Sequence, residues 1–570
     1  MSRGAVARRV VVMNTSSRFP LHRLLPAVAG LALAVLLAAL LPAGAGATVS
    51  VGLSAVRAQT FENENLLFYV PEEGDLFAYA LAVGDFNGDG ADDLATGIPL
   101  DDGQAGFPIV DMGAVVVRYG IPARGLATGL ASTWLSQAAA GNPEDPGAGD
   151  RYGWSLAAGD FNGDGIDDLA IGVPWNQAAG EPVGSGAVEI HYGLPGGIQL
   201  AAEHFLRQGH DGVPGAYSDY GDRFGDAVAA GDFDGDGYDD LAIGAPRDNN
   251  FQFWGAGSVT VLHGGVGGVM PFNGYVFNRE SAGIPGAEHQ GEDFGGVLAA
   301  GDWNGDGRDD LAVGSPLESA PGLVNYGGIV VLFGSDFGLI YANSVGWSED
   351  ETGGVAQADD QFGSALASGD FDGDGYDDLV VGAPFKDIGA VGAHVDAGEI
   401  TVLYGSAAGA PNWFNLARTG HWRQSNIFFD PVYDQPGDHF GWAFAAGDFD
   451  KDGRDDLAVG HPGENLGGAD RGAVTVLMGT AGTGLWSRAN VFATDVGELP
   501  GTAQDSQDLG RSLAAGDFDG DGHSDLAIGI PYRDVSGIGI DVGRENVLYG
   551  SIFSDGFLYG NSTFWSVEVP

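Results

Sequence analysis

An eleven-residue phrase recurs seven times along the chain, and no other feature constrains the fold as tightly. The first copy, residues 84–94, reads G-D-F-N-G-D-G-A-D-D-L, and the others open at Asp160, Asp232, Asp302, Asp370, Asp448 and Asp517. Counted from Asp85, successive openings are 75, 72, 70, 68, 78 and 69 residues apart. Each phrase sets Asp or Asn at positions 1, 3, 5 and 9 and Gly at position 6, which is a cage for a hard cation. A period of about 70 residues makes each cage part of one structural unit, and such self-similarity marks a propeller, solenoid or array.

The repeat overrides the several domains that 570 residues would otherwise suggest. Cysteine is absent, which removes disulfides and thiolate metal sites as fastenings. The first 47 residues stand apart. They carry Arg3, Arg8, Arg9, Arg18 and Arg23 with no acidic residue, then an apolar run over 24–41, then Ala43-Gly44-Ala45-Gly46-Ala47. A basic head, an apolar middle and a small-residue end predict a secretory signal peptide over 1–47, read from Met1 or Met13. A membrane anchor is the competing reading, weakened by the short apolar run. Residues 48–60 read as a linker and 61–570 as one domain. Without 1–47 the chain holds 19 basic and 78 acidic residues, a balance that argues against nucleic acids and anionic lipid surfaces as partners. The expected location is extracellular or periplasmic, with no stable membrane insertion after cleavage.

The same grammar surrounds every cage. Before it stands an aromatic-Gly pair and a run of small residues, as in 152–158 (Y-G-W-S-L-A-A), and after it comes D-L-A-I-G-x-P, as in 168–174. Two short apolar segments flanking a tight Gly-rich loop predict an antiparallel hairpin. A β-branched third strand follows, at 114–119, 187–192 and 258–263, and an aromatic fourth, at 133–135 and 204–206. Four strands per repeat, with no helix-length amphipathic run between them, predict an all-β chain: a seven-bladed β-propeller of four-stranded antiparallel blades, each with a calcium loop. The blades fall roughly over 75–149, 150–221, 222–291, 292–359, 360–437, 438–507 and 508–570. The 99 glycines disfavour a helical solenoid. A helix–loop–helix calcium site would need Glu at position 12, where Thr96, Ile171 and Ile243 stand instead.

Residues 224–246 run Phe-Gly, then G-D-F-D-G-D-G-Y-D-D-L, then Gly-Ala-Pro, and so resemble an FG-GAP repeat, the unit of integrin α-subunit propellers and of many secreted bacterial proteins. The resemblance covers roughly 60–570, with Phe77-Ala78 and Leu509-Gly510 as departures from Phe-Gly. It implies a seven-bladed ring and calcium in the loops. In integrins the N-terminal strand completes the last blade, which implies that 61–70 closes the ring. A strand at 562–569 competes for that slot, and the sequence leaves the choice open.

Calcium takes six to eight oxygen ligands at roughly 2.3–2.6 Å, and a tightly coiled loop turns alternate side chains inward. Positions 1, 3 and 5 supply three: Asp85, Asn87 and Asp89; Asp160, Asn162 and Asp164; Asp232, Asp234 and Asp236; Asp302, Asn304 and Asp306; Asp370, Asp372 and Asp374; Asp448, Asp450 and Asp452; Asp517, Asp519 and Asp521. Position 7 varies freely (Ala91, Ile166, Tyr238, Arg308, Tyr376, Arg454, His523), as expected of a residue that offers only its backbone carbonyl. Position 9, which is Asp93, Asp168, Asp240, Asp310, Asp378, Asp456 and Asp525, is expected to clamp the ion, and the resemblance implies a bidentate clamp. Position 8 is Asp six times and Ser524 once, and reads as outward-facing and non-ligating. The expected cofactor is structural Ca2+, up to seven ions. Asn at position 3 and Lys451 at position 4 mark the weaker cages. With no cysteine and no recurring His, zinc is disfavoured. His191 and His263 sit one residue apart in register and read as strand residues rather than a metal pair.

No H-E-x-x-H, G-x-S-x-G or P-loop is legible, and no residues remain for a separate catalytic domain, so the chain is expected not to be an enzyme. Binding remains. In a four-strand meander the cages occupy the 1–2 connections, while the 2–3 and 4–1 connections share the opposite face. Those loops hold Trp175, Tyr217, Phe251, Phe253, Trp254, Tyr326, Phe385, Phe428, Phe429, Tyr433 and Tyr532. Aromatic loop residues on a rigid scaffold suit a protein or glycan partner, or else pack the blade tops. Blades three and five are expected to bring theirs together over the ring. The expected function is a cell-adhesion or protein-interaction module, the alternative a calcium-dependent carbohydrate-binding protein, and a hydrolase comes third.

Overall fold

The computed structural model describes residues 58–550, apart from 63–71, 104–108, 128–131, 139–145, 178–181, 216–219, 250–253, 287–288, 390–394, 408–412, 429–432, 466–470, 494–498, 500–506 and 535–540. The described residues form seven four-stranded antiparallel sheets. Blade three is representative, with Ala227–Gly231, Asp240–Ala245, Ser258–His263 and Met270–Phe277 side by side in chain order. The first strands of successive blades touch in cyclic order, and Leu81–Gly84 of blade one meets both Leu156–Gly159 of blade two and Ser512–Gly516 of blade seven. The chain is therefore a closed seven-bladed propeller.

Every second strand is buried along its whole length, as in Asp168–Val173 and Asp240–Ala245, because a neighbouring blade covers each of its faces. A strand covered on both sides reads as a continuous apolar run rather than an alternation, and D-L-A-I-G-V is such a run. Its Gly is a packing requirement. A Cβ on Gly97, Gly172, Gly244, Gly314, Gly382 or Gly460 would run into the carbonyl oxygen of the next blade's Phe-Gly glycine. That second glycine turns with φ near +85°, as in Gly153 and Gly225 at +85° and +86°, a conformation that costs a side chain and is free to Gly. The aromatic before it, Phe77, Tyr152, Phe224, Phe294, Phe362 or Phe440, is fully buried, and Leu509 fills the same place in blade seven.

The outermost strand of blade seven is Gln59–Glu62, paired antiparallel with Arg544–Leu548 and with Phe61 opposite Glu545. The N-terminal strand thus closes the ring. It begins inside the segment read as a linker, while 63–70, 562–569 and the expected signal peptide lie outside the described residues. Two single-turn helices, Glu349–Thr352 and Gln424–Phe428, occupy outer connections.

Candidate metal centres and the opposite loop face

Each cage is a loop coiled around its first side chain. Asp232 Oδ1 accepts the backbone N–H groups of Gly235 and Asp236, at 2.8 and 3.1 Å, and its Oδ2 accepts that of Gly237 at 3.0 Å. Asp160 and Asp370 do the same in their blades. The position 5 carboxylate accepts the position 7 N–H, as in Asp236 and Tyr238 at 3.1 Å. The loop is thus shaped by its own backbone donors, with the side chains at 1, 3 and 5 turned together. The carboxylate oxygens of Asp232, Asp234 and Asp236 come within 4.8 Å of one another, as do those of Asp370, Asp372 and Asp374 and those of Asp448, Asp450 and Asp456.

Position 9 lies at the buried floor of the cage. One oxygen accepts the N–H of a glycine just past the third strand, as in Asp93 from Gly120 at 2.8 Å and Asp240 from Gly264 at 2.9 Å. Desolvation pushes this carboxyl up to about 8 in Asp93, Asp168, Asp378, Asp456 and Asp525, and to about 9 in Asp310. Buried carboxylates gathered in one loop call for a counter-charge. Two further atoms point the same way: buried Asn304 Oδ1 and Asp450 Oδ1, both at position 3, have no hydrogen-bond partner. Apart from cage three, where His263 joins Asp234 and Asp240, an oxygen donor set with buried, unsatisfied acceptors fits a hard divalent cation.

The cages are not equivalent. Where position 3 is Asn, its amide donates to the floor carboxylate, as in Asn87 to Asp93 at 2.9 Å and Asn304 to Asp310 at 3.1 Å. In cage five Arg418 reaches Asp372 at 2.6 Å, and in cage seven His523 Nδ1 lies 2.8 Å from Asp521. Lys451 adopts φ +58° in place of the usual Gly and sends its ammonium to the Asp521 carbonyl of cage seven.

Position 8 corrects the sequence reading. Its side chain faces the neighbouring blade and does not point outward. Asp167 Oδ2 accepts the Asp85 N–H at 2.8 Å, Asp239 that of Asp160 at 2.8 Å, Asp309 that of Asp232 at 2.9 Å, and Asp92 that of Asp517 at 2.7 Å. Asp377 and Asp455 pair likewise with Asp302 and Asp370. The position 8 N–H returns a bond to the position 1 carbonyl at all seven junctions, including Ser524 to Asp448. Each cage is therefore stapled to the next. Sequence reasoning missed this because the partners lie 70 or more residues apart.

On the opposite face the aromatics separate into groups. Trp175 and Trp254 share a groove of about 580 Å³ with Tyr220, Arg223, Arg247 and Asn249. Trp254 and Tyr220 are 72% and 74% exposed, and Arg223 and Arg151 stack on Trp175 at 4.6 and 4.1 Å. Phe385 packs on His439 and Trp442, and Phe428 stacks on Tyr433 at 4.8 Å. Trp254 is thus grouped with blade two rather than with blade five as expected. Phe251, Phe253, Phe429 and Tyr217 lie outside the described residues. Tyr220, Arg223 and Arg247 escaped sequence reasoning, since isolated residues in loops carry no periodic signal.

The FG-GAP repeat family matches seven times, at 77–110, 152–188, 224–262, 294–333, 362–403, 440–477 and 509–544. The chain is 30% identical to integrin alpha-PS2 of Drosophila melanogaster over 260 residues, covering 44% of this chain and 16% of that one. It is 29% identical to phosphatidylinositol-glycan-specific phospholipase D of Homo sapiens over 450 residues, 74% of this chain and 48% of that one. The rat phospholipase is 36% identical over 184 residues, covering 32% of this chain and 20% of that one. The matches thus span less than half of each relative's own length. A rhamnogalacturonan lyase of Bacillus licheniformis aligns over 84% of this chain and 91% of its own, at 12% identity and a TM-score of 0.32, too loose an overlay to carry an argument. The expectation that the chain is not an enzyme is corrected by these relatives. Proteins named as phospholipases are similar to this chain over 184 and 450 residues, so a propeller of this kind gives no ground for excluding catalysis. No helix among the described residues is long and apolar enough to cross a membrane. The chain is an integrin-α-like FG-GAP repeat protein, a seven-bladed propeller.

Proposed function

We propose that this chain is a secreted, calcium-stabilised propeller that serves as a cell-adhesion or protein-interaction module, using the loop face opposite the cages. Calcium, when bound, supplies positive charge to the buried carboxylates. The side chains at positions 1, 3, 5 and 9 hold it, and the position 8 staples transmit the order of one cage to the next blade. The groove between blades two and three carries the reading. Two exposed aromatics and two arginines stand together there, in a chain whose formal charge is −54. Exposed Trp and Tyr beside Arg are the residues that anchor interfaces.

The exposure of Trp254 and Tyr220 also favours a second reading, a glycan stacked on those rings. A glycan array set against a pull-down from cell-surface extracts separates the two. In either case Trp254→Ala is expected to weaken binding at least tenfold and to leave the melting temperature in calcium within a degree or two. If the variant binds as well as the parent, the groove is not the working surface.

A further inference from the structure

In cage three an imidazole nitrogen meets the floor carboxylate, whereas the His523 imidazole of cage seven meets the position 5 Asp521 instead. His263, the last residue of Ser258–His263, places Nδ1 3.2 Å from Asp234 Oδ2 and 3.2 Å from Asp240 Oδ2. The three ligating atoms lie within 4.8 Å of one another, and Asp240 and His263 are buried. The six equivalent third-strand positions, each followed by the glycine that caps the floor carboxylate, are Tyr119, Tyr192, Phe333, Tyr404, Met478 and Tyr549. None offers an imidazole nitrogen.

The tyrosines at this position have another task, which explains why blade three can spare it. Tyr119, Tyr192, Tyr404 and Tyr549 each accept a backbone N–H from the next blade, from Ile198, Val269, Leu485 and Leu126. In blade three Tyr275, on the fourth strand, takes over by accepting the Leu339 N–H at 2.8 Å. Its ring packs on His263 at 5.7 Å. The far edge of the imidazole lies against Gly338, where a side chain would collide with it. The ring is therefore held between Tyr275 and Gly338 with Nδ1 toward the cage.

We infer that cage three is a mixed nitrogen–oxygen site, in which Asp234, Asp240 and His263 take a borderline divalent transition cation such as Zn2+ or Co2+ in preference to calcium. Imidazole is a good ligand for these ions and a poor one for calcium, which selects all-oxygen sites. One blade in seven thus answers to a different metal, while the staple from Asp309 to the Asp232 N–H ties that site into the ring like any other. The inference rests on the reading of the loops as cation cages.

The test uses the full chain, stripped with chelator and dialysed against millimolar calcium and micromolar cobalt, with metal analysis and visible absorption as readouts. The parent is expected to retain about one equivalent of cobalt, with a ligand-field band that reports nitrogen ligation, alongside calcium. His263→Tyr, the residue carried by four other blades, and His263→Gln should each weaken cobalt retention on the order of tenfold or more. Both should keep their remaining calcium and their melting temperature in calcium. His421→Gln, which alters the cluster of Glu349, Glu399 and His421, should keep its cobalt. A parent that binds calcium but no cobalt overturns the inference, as does cobalt retained unchanged by both His263 variants or lost from His421→Gln. A parent that binds neither ion overturns the cage reading itself.

Discussion

Single residues in this fold are chosen by how closely one blade approaches the next. Gly244 has the Gly295 carbonyl where its side chain would be, so Gly244→Ala is expected to destabilise the protein by about 3 kcal/mol through overpacking. Ala78 shows the same pressure from the other side. It stands where five blades carry a left-handed Phe-Gly or Tyr-Gly glycine, and adopts φ +66° with a Cβ. That conformation costs an L-residue roughly 1–2 kcal/mol, offset in part by the greater chain entropy of glycine. Ala78→Gly should therefore raise stability by about 0.5–1 kcal/mol in chemical denaturation, and a lower unfolding midpoint would contradict the strain argument. How the Phe-Gly and Gly-x-Pro elements serve the fold was half legible. The repetition showed that they mattered, whereas the reason, a carbonyl seated on a glycine of another blade, joins residues about 50 positions apart.

At the scale of the element, the hairpin with its cage is the unit that calcium is expected to set. Desolvation holds the floor carboxyls at about 8 in Asp93, Asp168, Asp378, Asp456 and Asp525, above the value of about 3.9 in an unfolded chain. The folded, chelated protein therefore binds more protons than the unfolded one between those limits. The stability these carboxyls contribute is full below about pH 4 and is lost as pH rises through 8. Thermal melts in chelator should accordingly show a higher melting temperature at pH 5 than at pH 8.5. Calcium selects the ionised form and should reverse that order. With extracellular-type Kd values of about 10⁻⁴–10⁻³ M, millimolar calcium adds roughly 0.4–1.4 kcal/mol per site, and several sites together rival the net stability of an ordinary domain. Melts that coincide with and without chelator at both pH values would remove calcium from the account.

The whole molecule depends on one seam, where the ring joins its two ends. Arg118 of blade one and Glu545 of blade seven are both fully buried and lie 3.4 Å apart, with Thr96 donating to the same carboxylate at 2.6 Å. Phe61 of the closing strand lies under the guanidinium at 4.5 Å. Tyr549 accepts the Leu126 N–H, Ser512 donates to the Ala78 carbonyl, and Asp92 accepts from Asp517 across the same junction. Breaking a buried pair strands the remaining charge, so Glu545→Ala is expected to cost about 3–5 kcal/mol in urea denaturation. Replacing both partners, Arg118→Leu with Glu545→Leu, should recover much of that loss. Equal losses for the single and double variants would show that the seam is held by something other than this pair.

By itself the sequence determined the repeat, the strand grammar and the grouping of acidic side chains in each loop. These depend on residues within about a dozen positions of one another, where backbone geometry alone brings them together. The tertiary structure decided what depends on distant residues. It turned the position 8 carboxylates into staples between blades, chose Gln59–Glu62 to finish blade seven, and gathered Trp175, Tyr220 and Trp254 into one groove. It also brought His263 onto Asp234 and Asp240, a meeting invisible along the chain because a third strand reaches the cage only after the sheet has formed and turned its end toward the loop.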